Sequence, residues 1–224
     1  PYIIAMPDEE MRIFLTTQQV DEARHTVFFA RFFNEVMGID KGNLEDTLSE
    51  IRQYVNPQLQ YILIESLDDV GLRLRQDPTN LTTLVEAVTL YHVIIEGTMA
   101  LAGQRGILEN YRQNDLFPGF RGGFTAVARD ESRHVVFGVK FLRDMIQRDN
   151  AYARAVQQAI EKYAATALQA ITPAEEQAAR LIEDGQDPWA TPRFAVESLR
   201  KKLKVVGLSM PLPEVPVPPP PAQS

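Results

Sequence analysis

The sequence contains no cysteine, which excludes disulfides, thiolate metal sites and thiol nucleophiles. Only three histidines occur, His25, His92 and His134, so any imidazole chemistry must use one of them. No run of 18 uncharged apolar residues is present, which argues against an integral membrane segment, and no basic-then-apolar leader opens the chain. Basic charge is also short. Thirty acidic against 23 basic side chains give a net charge of −7, a poor match to a nucleic-acid partner. These absences point to a cytoplasmic protein, and 224 residues with 45% apolar content are enough for one large globular domain.

What the chain does carry is helical periodicity nearly throughout, with no hairpin signature. The pattern predicts helices over 8–37, over 43–75 with a kink at Asn56-Pro57, and from Asp77-Pro78 to Gly103 or beyond. After a break at Leu116-Phe117-Pro118-Gly119, further helices are expected over 122–148, 152–170, 172–183 and 191–205. Long helices joined by short loops describe an all-α bundle over residues 1–210. Residues 211–224 hold seven of the 15 prolines and read as an extended or disordered tail.

One motif occurs twice. Residues 21–32 read Asp-Glu-Ala-Arg-His-Thr-Val-Phe-Phe-Ala-Arg-Phe, and residues 130–141 read Asp-Glu-Ser-Arg-His-Val-Val-Phe-Gly-Val-Lys-Phe, identical at seven of twelve positions. Residues three apart share a helix face, so Glu22 with His25, and Glu131 with His134, can each grip a metal ion. Val27, Phe28, Phe32, Val136, Phe137 and Phe141 are expected to turn that region into the bundle interior. Glu96 is the natural further ligand, because it lies in Leu-Tyr-His-Val-Ile-Ile-Glu-Gly-Thr-Met-Ala-Leu, where an unpaired carboxylate would be costly. The competing reading is a simple pair between Glu96 and His92, four residues earlier. Glu65 and Glu86 lie in more polar stretches and read as exposed carboxylates.

Asp21-Glu22-Ala-Arg-His25, Tyr91-x-x-x-x-Glu96-Gly-Thr, Leu116-Phe-Pro-Gly119 and Asp130-Glu131-Ser-Arg-His134-x-x-Phe-Gly138 together resemble the ferritin-like superfamily. Within it they resemble the small subunit of class I ribonucleotide reductase, and most closely its ligand-binding oxidase relatives. The resemblance implies a ferritin-like bundle holding a mixed Mn and Fe centre, with di-iron as a variant. Glu22 and His25 would serve one metal, Glu131 and His134 the other, and Glu96 would be a further carboxylate ligand. Asp130 would orient a ligand histidine, and Tyr91 would become linked to a valine during O2 activation. A long-chain fatty acid with its carboxylate at the metals, and a homodimer, are also implied.

The family takes its first metal carboxylate and that valine from a helix upstream of the first Glu-x-x-His. Glu22 lies too near Pro1 to be preceded by it, so a longer natural chain is expected. The alternative function is a radical-generating reductase small subunit, which usually carries tyrosine four residues after the first metal histidine, where this chain has Phe29. Ferritin-type storage is a further alternative, and the long segment after Glu131 fits it badly.

Overall fold

The computed structural model describes residues 1–39 and 41–216, and all its regular structure is helical. A one-turn helix α1 (Tyr2–Ala5) leads into α2 (Glu9–Glu35), whose N-cap Asp8 accepts from the Met11 amide at 2.9 Å. Asn43 caps α3 (Leu44–Arg52) in the same way. The second expected helix then breaks at 53–56 and restarts at α4 (Pro57–Gln60), with Asn56 as N-cap and Pro57 in the first turn. It continues as a π-helical turn π1 (Tyr61–Glu65) and α5 (Ser66–Gln76).

The third helix starts later than expected. Asp77 accepts from the backbone and hydroxyl of Thr79, and Asn80 is the cap that accepts from the Thr83 amide. It then runs unbroken through α6 (Leu81–Val88), π2 (Thr89–Ala100) and α7 (Leu101–Gln113). This 33-residue helix is long and apolar enough to cross a bilayer, yet its apolar window is 78% buried, as the central helix of a folded core. Leu84, Val85, Val88, Leu90 and Ile94 are fully enclosed.

Phe117, in the left-handed region at φ 45°, turns the chain into α8 (Pro118–Arg148), which starts at Pro118 rather than near 122. The bundle closes with α9 (Ala151–Ala170), α10 (Glu175–Glu183) and α11 (Ala190–Val206), ended by Gly207 at φ 90°. The central helix packs against α8, α9 and α11, while α2 lies along α8. Over the described residues 208–216 the chain has no regular structure, with Leu208, Met210 and Leu212 against the core and the Pro216 carbonyl accepting from Arg193 at 3.1 Å. The rest of the expected proline tail, 217–224, lies outside the described residues.

The π geometry of π2 was not expected. Its i→i+5 bonding shows in the Leu101 amide reaching the Glu96 carbonyl and in Thr98 Oγ1 donating to the Val93 carbonyl at 2.7 Å. Close approach elsewhere is set by Gly138: a Cβ there would lie 2.2 Å from His92 Cβ, so only glycine lets α8 press onto π2 at this level.

Candidate metal centre

Three helices deliver the centre: α2 carries Glu22 and His25, π2 carries Tyr91 and Glu96, and α8 carries Asp130, Glu131 and His134. Ligand atoms of Glu22, Glu96, Glu131 and His134 all lie within 4.8 Å of one another. His25 joins them, with Nδ1 3.1 Å from Glu131 Oε1 and 3.4 Å from Glu22 Oε2. His134 Nδ1 answers from the other side, 3.4 Å from Glu96 Oε1 and 3.6 Å from both Glu22 Oε1 and Glu131 Oε2. Every candidate named from the sequence thus falls in one cluster or borders it.

The two copies of the repeat hold each other. Nε2 of His25 lies 3.3 Å from Asp130 Oδ2, and Nε2 of His134 lies 3.2 Å from Asp21 Oδ2. An ionised carboxylate only accepts, so each ring donates through Nε2 and turns Nδ1 toward the carboxylates. Arg133 donates to both Asp21 and Asp130 at 2.9 Å, and Arg24 also binds Asp21 and lies 3.6 Å from Asp130. Burial alone would raise the Asp21 carboxyl, but His134 and Arg133 hold it below the ordinary carboxylate range.

The sequence reading gave no role to Asp21, Arg24, Arg133 or Gln18. The first three belong to the repeat and could have been flagged with Asp130. The crossing of the pairs, however, depends on how α2 and α8 dock. Gln18 sits one helical turn before Glu22, on the ligand face. It is buried, with Nε2 donating to Glu96 Oε1 at 2.9 Å and Oε1 3.1 Å from His92 Nε2. Gln18 therefore stands between His92 and Glu96, and the direct His92–Glu96 pair does not form. Burial, and then the proximity of His134, push the His92 imidazole down to about 3, so it is a neutral partner for the amide.

Two further expectations are corrected. Val27 and Val136 are 57% and 67% exposed rather than internal. Each lies two residues past its histidine, about 200° round the helix, whereas Phe28, Phe32, Phe137 and Phe141 lie three or seven past and turn inward. Glu86 is not an exposed carboxylate but an ionic hub, taking Arg73 and the Tyr163 hydroxyl at 2.8 Å and Lys162 at 3.1 Å. Glu65 is exposed, as expected.

Electrostatically the cluster is unfinished as protein alone. Burial, only partly opposed by His134 and reinforced by Glu131 and Glu22, pushes the Glu96 carboxyl up to about 8. Burial opposes protonation of His134, yet the carboxylates of Glu131, Glu96 and Asp21 raise its imidazole to about 10. Glu96 Oε2, Glu131 Oε2 and His134 Nδ1 are buried without hydrogen-bond partners. Such atoms are rare in folded proteins, and three of them within one cluster of ligand residues fit divalent cations held by carboxylate and imidazole. The donor set therefore fits a dinuclear carboxylate centre.

Tyr91 donates to Glu22 Oε1 at 2.8 Å, and burial followed by Glu96 and Glu22 pushes its phenol well above its ordinary value. Tyr91, Glu22 and Gln18 face a cavity of about 260 Å³ whose other walls include Pro1, Tyr2, Ile3 and Leu15.

No protein-family model matches the chain. Its fold is nevertheless that of solved R2-like ligand-binding oxidases. A variant of that oxidase with an anaerobically reconstituted Mn/Fe cofactor superposes with a TM-score of 0.72 at 24% identity, over 87% of this chain and 66% of that one. A second variant, with a non-activated Mn/Mn cofactor, gives 0.71 at 24% identity over the same shares. A third, with an aerobically reconstituted Mn/Fe cofactor, gives 0.73 at 24% identity over 87% of this chain and 68% of that one. The chain thus spans about two thirds of the length of the oxidases it matches. The ferritin-like bundle of the reductase small-subunit type, expected from the motifs, is the observed fold.

Proposed function

We propose that this chain holds a dinuclear Mn/Fe, or di-iron, carboxylate centre and belongs to an oxidase that activates O2 to oxidise a bound long-chain fatty acid or similar amphiphile. The observation that carries the reading is the convergence of Glu22, His25, Glu96, Glu131 and His134 on one buried point, with three of their atoms unpartnered. The neighbouring oxidases supply the class of chemistry. The homodimer and the cytoplasmic setting belong to the same proposal.

In this reading Glu22 and His25 hold one ion, Glu131 and His134 the other, and Glu96 contributes a further carboxylate. When bound, the ions supply O2 activation and one-electron chemistry. The protein's part is positional. Asp130 and Asp21 fix the tautomer and ring plane of His25 and His134 through their Nε2 hydrogens. Gln18 donates to Glu96 Oε1, the same oxygen that lies 3.4 Å from His134 Nδ1, and so holds that carboxylate beside the second histidine. Tyr91 keeps its proton on the hydroxyl oxygen and tethers Glu22 from the side of the 260 Å³ cavity. That cavity is where the acyl ligand, and the upstream carboxylate and valine implied by the resemblance, would approach. Phe29, at the position of a reductase's radical tyrosine, packs against Phe124 at 5.6 Å between ring centres and offers no phenol oxygen.

Elemental analysis of protein produced with both Mn and Fe is the test, combined with denaturing extraction and lipid mass spectrometry. Two ions per chain and a stoichiometric acyl chain are expected. Less than one ion per chain in the unaltered protein would overturn the metal centre, and loaded protein lacking any acyl chain would overturn the ligand.

A further inference from the structure

On the side of π2 turned from the cluster, the chain makes a contact that the proposed function does not use. Gly97, the residue after Glu96, presents its carbonyl to α11, where Ser198 Oγ donates to it at 3.2 Å. Lys202, one turn along α11, donates from Nζ to the same Ser198 Oγ at 2.5 Å and to the Ser198 carbonyl at 3.4 Å. A hydroxyl has one hydrogen, so a lysine donating to its lone pair leaves that hydrogen for Gly97. The three groups form a directed chain from ammonium to hydroxyl to π2 carbonyl, and each bond polarises the next.

The Lys202 stem also closes over Gly97. A Cβ there would meet Lys202 Cε at 2.6 Å and the His92 carbonyl at 2.8 Å. Ser198 is 8% exposed, and no carboxylate among the described residues lies in ion-pair reach of Lys202. Burial, with a smaller push from Lys201, lowers its ammonium to about 8. A half-buried cation that donates only to a serine is an expensive arrangement for simple packing, which a leucine or methionine would serve.

We propose that Ser198 and Lys202 are positioning residues for Glu96, clamping the π2 backbone at Gly97 so that the preceding carboxylate stays aimed at the centre. A π segment is a rare departure from the α-helix that competes with it, so an outside donor to one of its carbonyls biases the register. Without the clamp the Glu96 backbone gains freedom, and the affinity of the ion that depends on Glu96 falls. The inference rests on the metal-centre reading for its functional half only.

The full 224-residue chain, stripped of metal, is titrated with Mn(II), and amide hydrogen exchange of π2 is followed in the metal-free protein. Glu96→Ala identifies the Glu96-dependent ion. Ser198→Ala and Lys202→Met are each expected to weaken that ion about tenfold, as removal of supporting hydrogen bonds commonly does. Both should also speed π2 exchange, while Ser198→Thr, which keeps the hydroxyl, restores both. Unaltered affinity with unaltered exchange in both variants overturns the proposal. A fall in melting temperature with affinity intact assigns the pair to folding and overturns the positioning role. If the unaltered chain binds no Mn(II), the metal-centre reading fails, and the exchange comparison alone still decides whether the clamp holds π2.

Discussion

Asp21 on α2 is bound by His134 of the other copy of the repeat, 113 residues away, at 3.2 Å. The relation is reciprocal, since Asp130 on α8 is the acceptor for His25 at 3.3 Å. Neither motif is therefore a self-contained ligand pair. Each supplies the carboxylate that orients its partner's imidazole, and Arg24 and Arg133 tie the two carboxylates together. The geometry of either half depends on the docking of α2 against α8.

Asp21→Asn should accordingly damage the position served by His134, and Asp130→Asn the one served by His25. An amide can present N–H where the ring must donate, so the favoured tautomer is lost. The expected cost is about 10–100-fold in affinity for the affected ion. Competition titration against a chelator measures it, and unchanged affinity in both variants would reject the crossed support.

His25→Ala and His134→Ala should each release at least one ion per chain. His92 cannot replace either, because it is fully buried and engaged with Gln18. Full metal content in both variants by elemental analysis would remove these residues from the ligand set.

Glu86 should govern acid stability. Burial opposes its ionisation, but hydrogen bonds from Arg73, Tyr163 and Lys162 prevail and hold it at about 2, against an ordinary 4.5. A carboxyl depressed in the folded state contributes stability above its unfolded value and loses it as the pH falls through the folded one. The contribution is thus complete above about pH 4.5 and gone near pH 2, on the order of 2–3 kcal/mol. Glu86→Gln should unfold at lower urea than the parent at pH 7, with the difference closing between pH 4.5 and 2. A difference constant across that window would contradict the assignment.

Gly138→Ala should destabilise the bundle, because its methyl would lie 2.2 Å from His92 Cβ between two buried helices. Overpacking at such a site costs roughly 1–3 kcal/mol, readable in the melting temperature. A melting temperature equal to the parent's would show that α8 and π2 can separate freely.

Much of this was legible in the sequence. The repeat exposed Glu22, His25, Glu131 and His134, and the apolar setting of Glu96 marked it as a carboxylate with a purpose. Helix spans followed from periodicity and caps, although Asp77-Pro78 outshone the true cap Asn80 because both residue types satisfy the same rule. What stayed hidden depended on docking between elements. Gln18 is one amide among many until π2 is placed beside it. Glu86 reads as solvated until Arg73, Lys162 and Tyr163, distant in the chain, converge on it. The outward turn of Val27 and Val136 is the exception, since counting two residues past each histidine would have shown it.

The π2 segment sets how the centre tolerates insertions and deletions. Tyr91 reaches Glu22 while Glu96, five residues later, reaches Gln18 and His134. Five residues of ordinary α-helix would separate their directions by about 140°. A switch of π2 to α-helical bonding at unchanged length would therefore swing one of the two side chains out of the cluster, whereas loss of one residue between them together with that switch would leave them four apart and about 40° apart, on one face. In this stretch residue count and hydrogen-bonding pattern constrain the chemistry together, so five intervening steps keep Tyr91 and Glu96 aligned only while the π bonding persists.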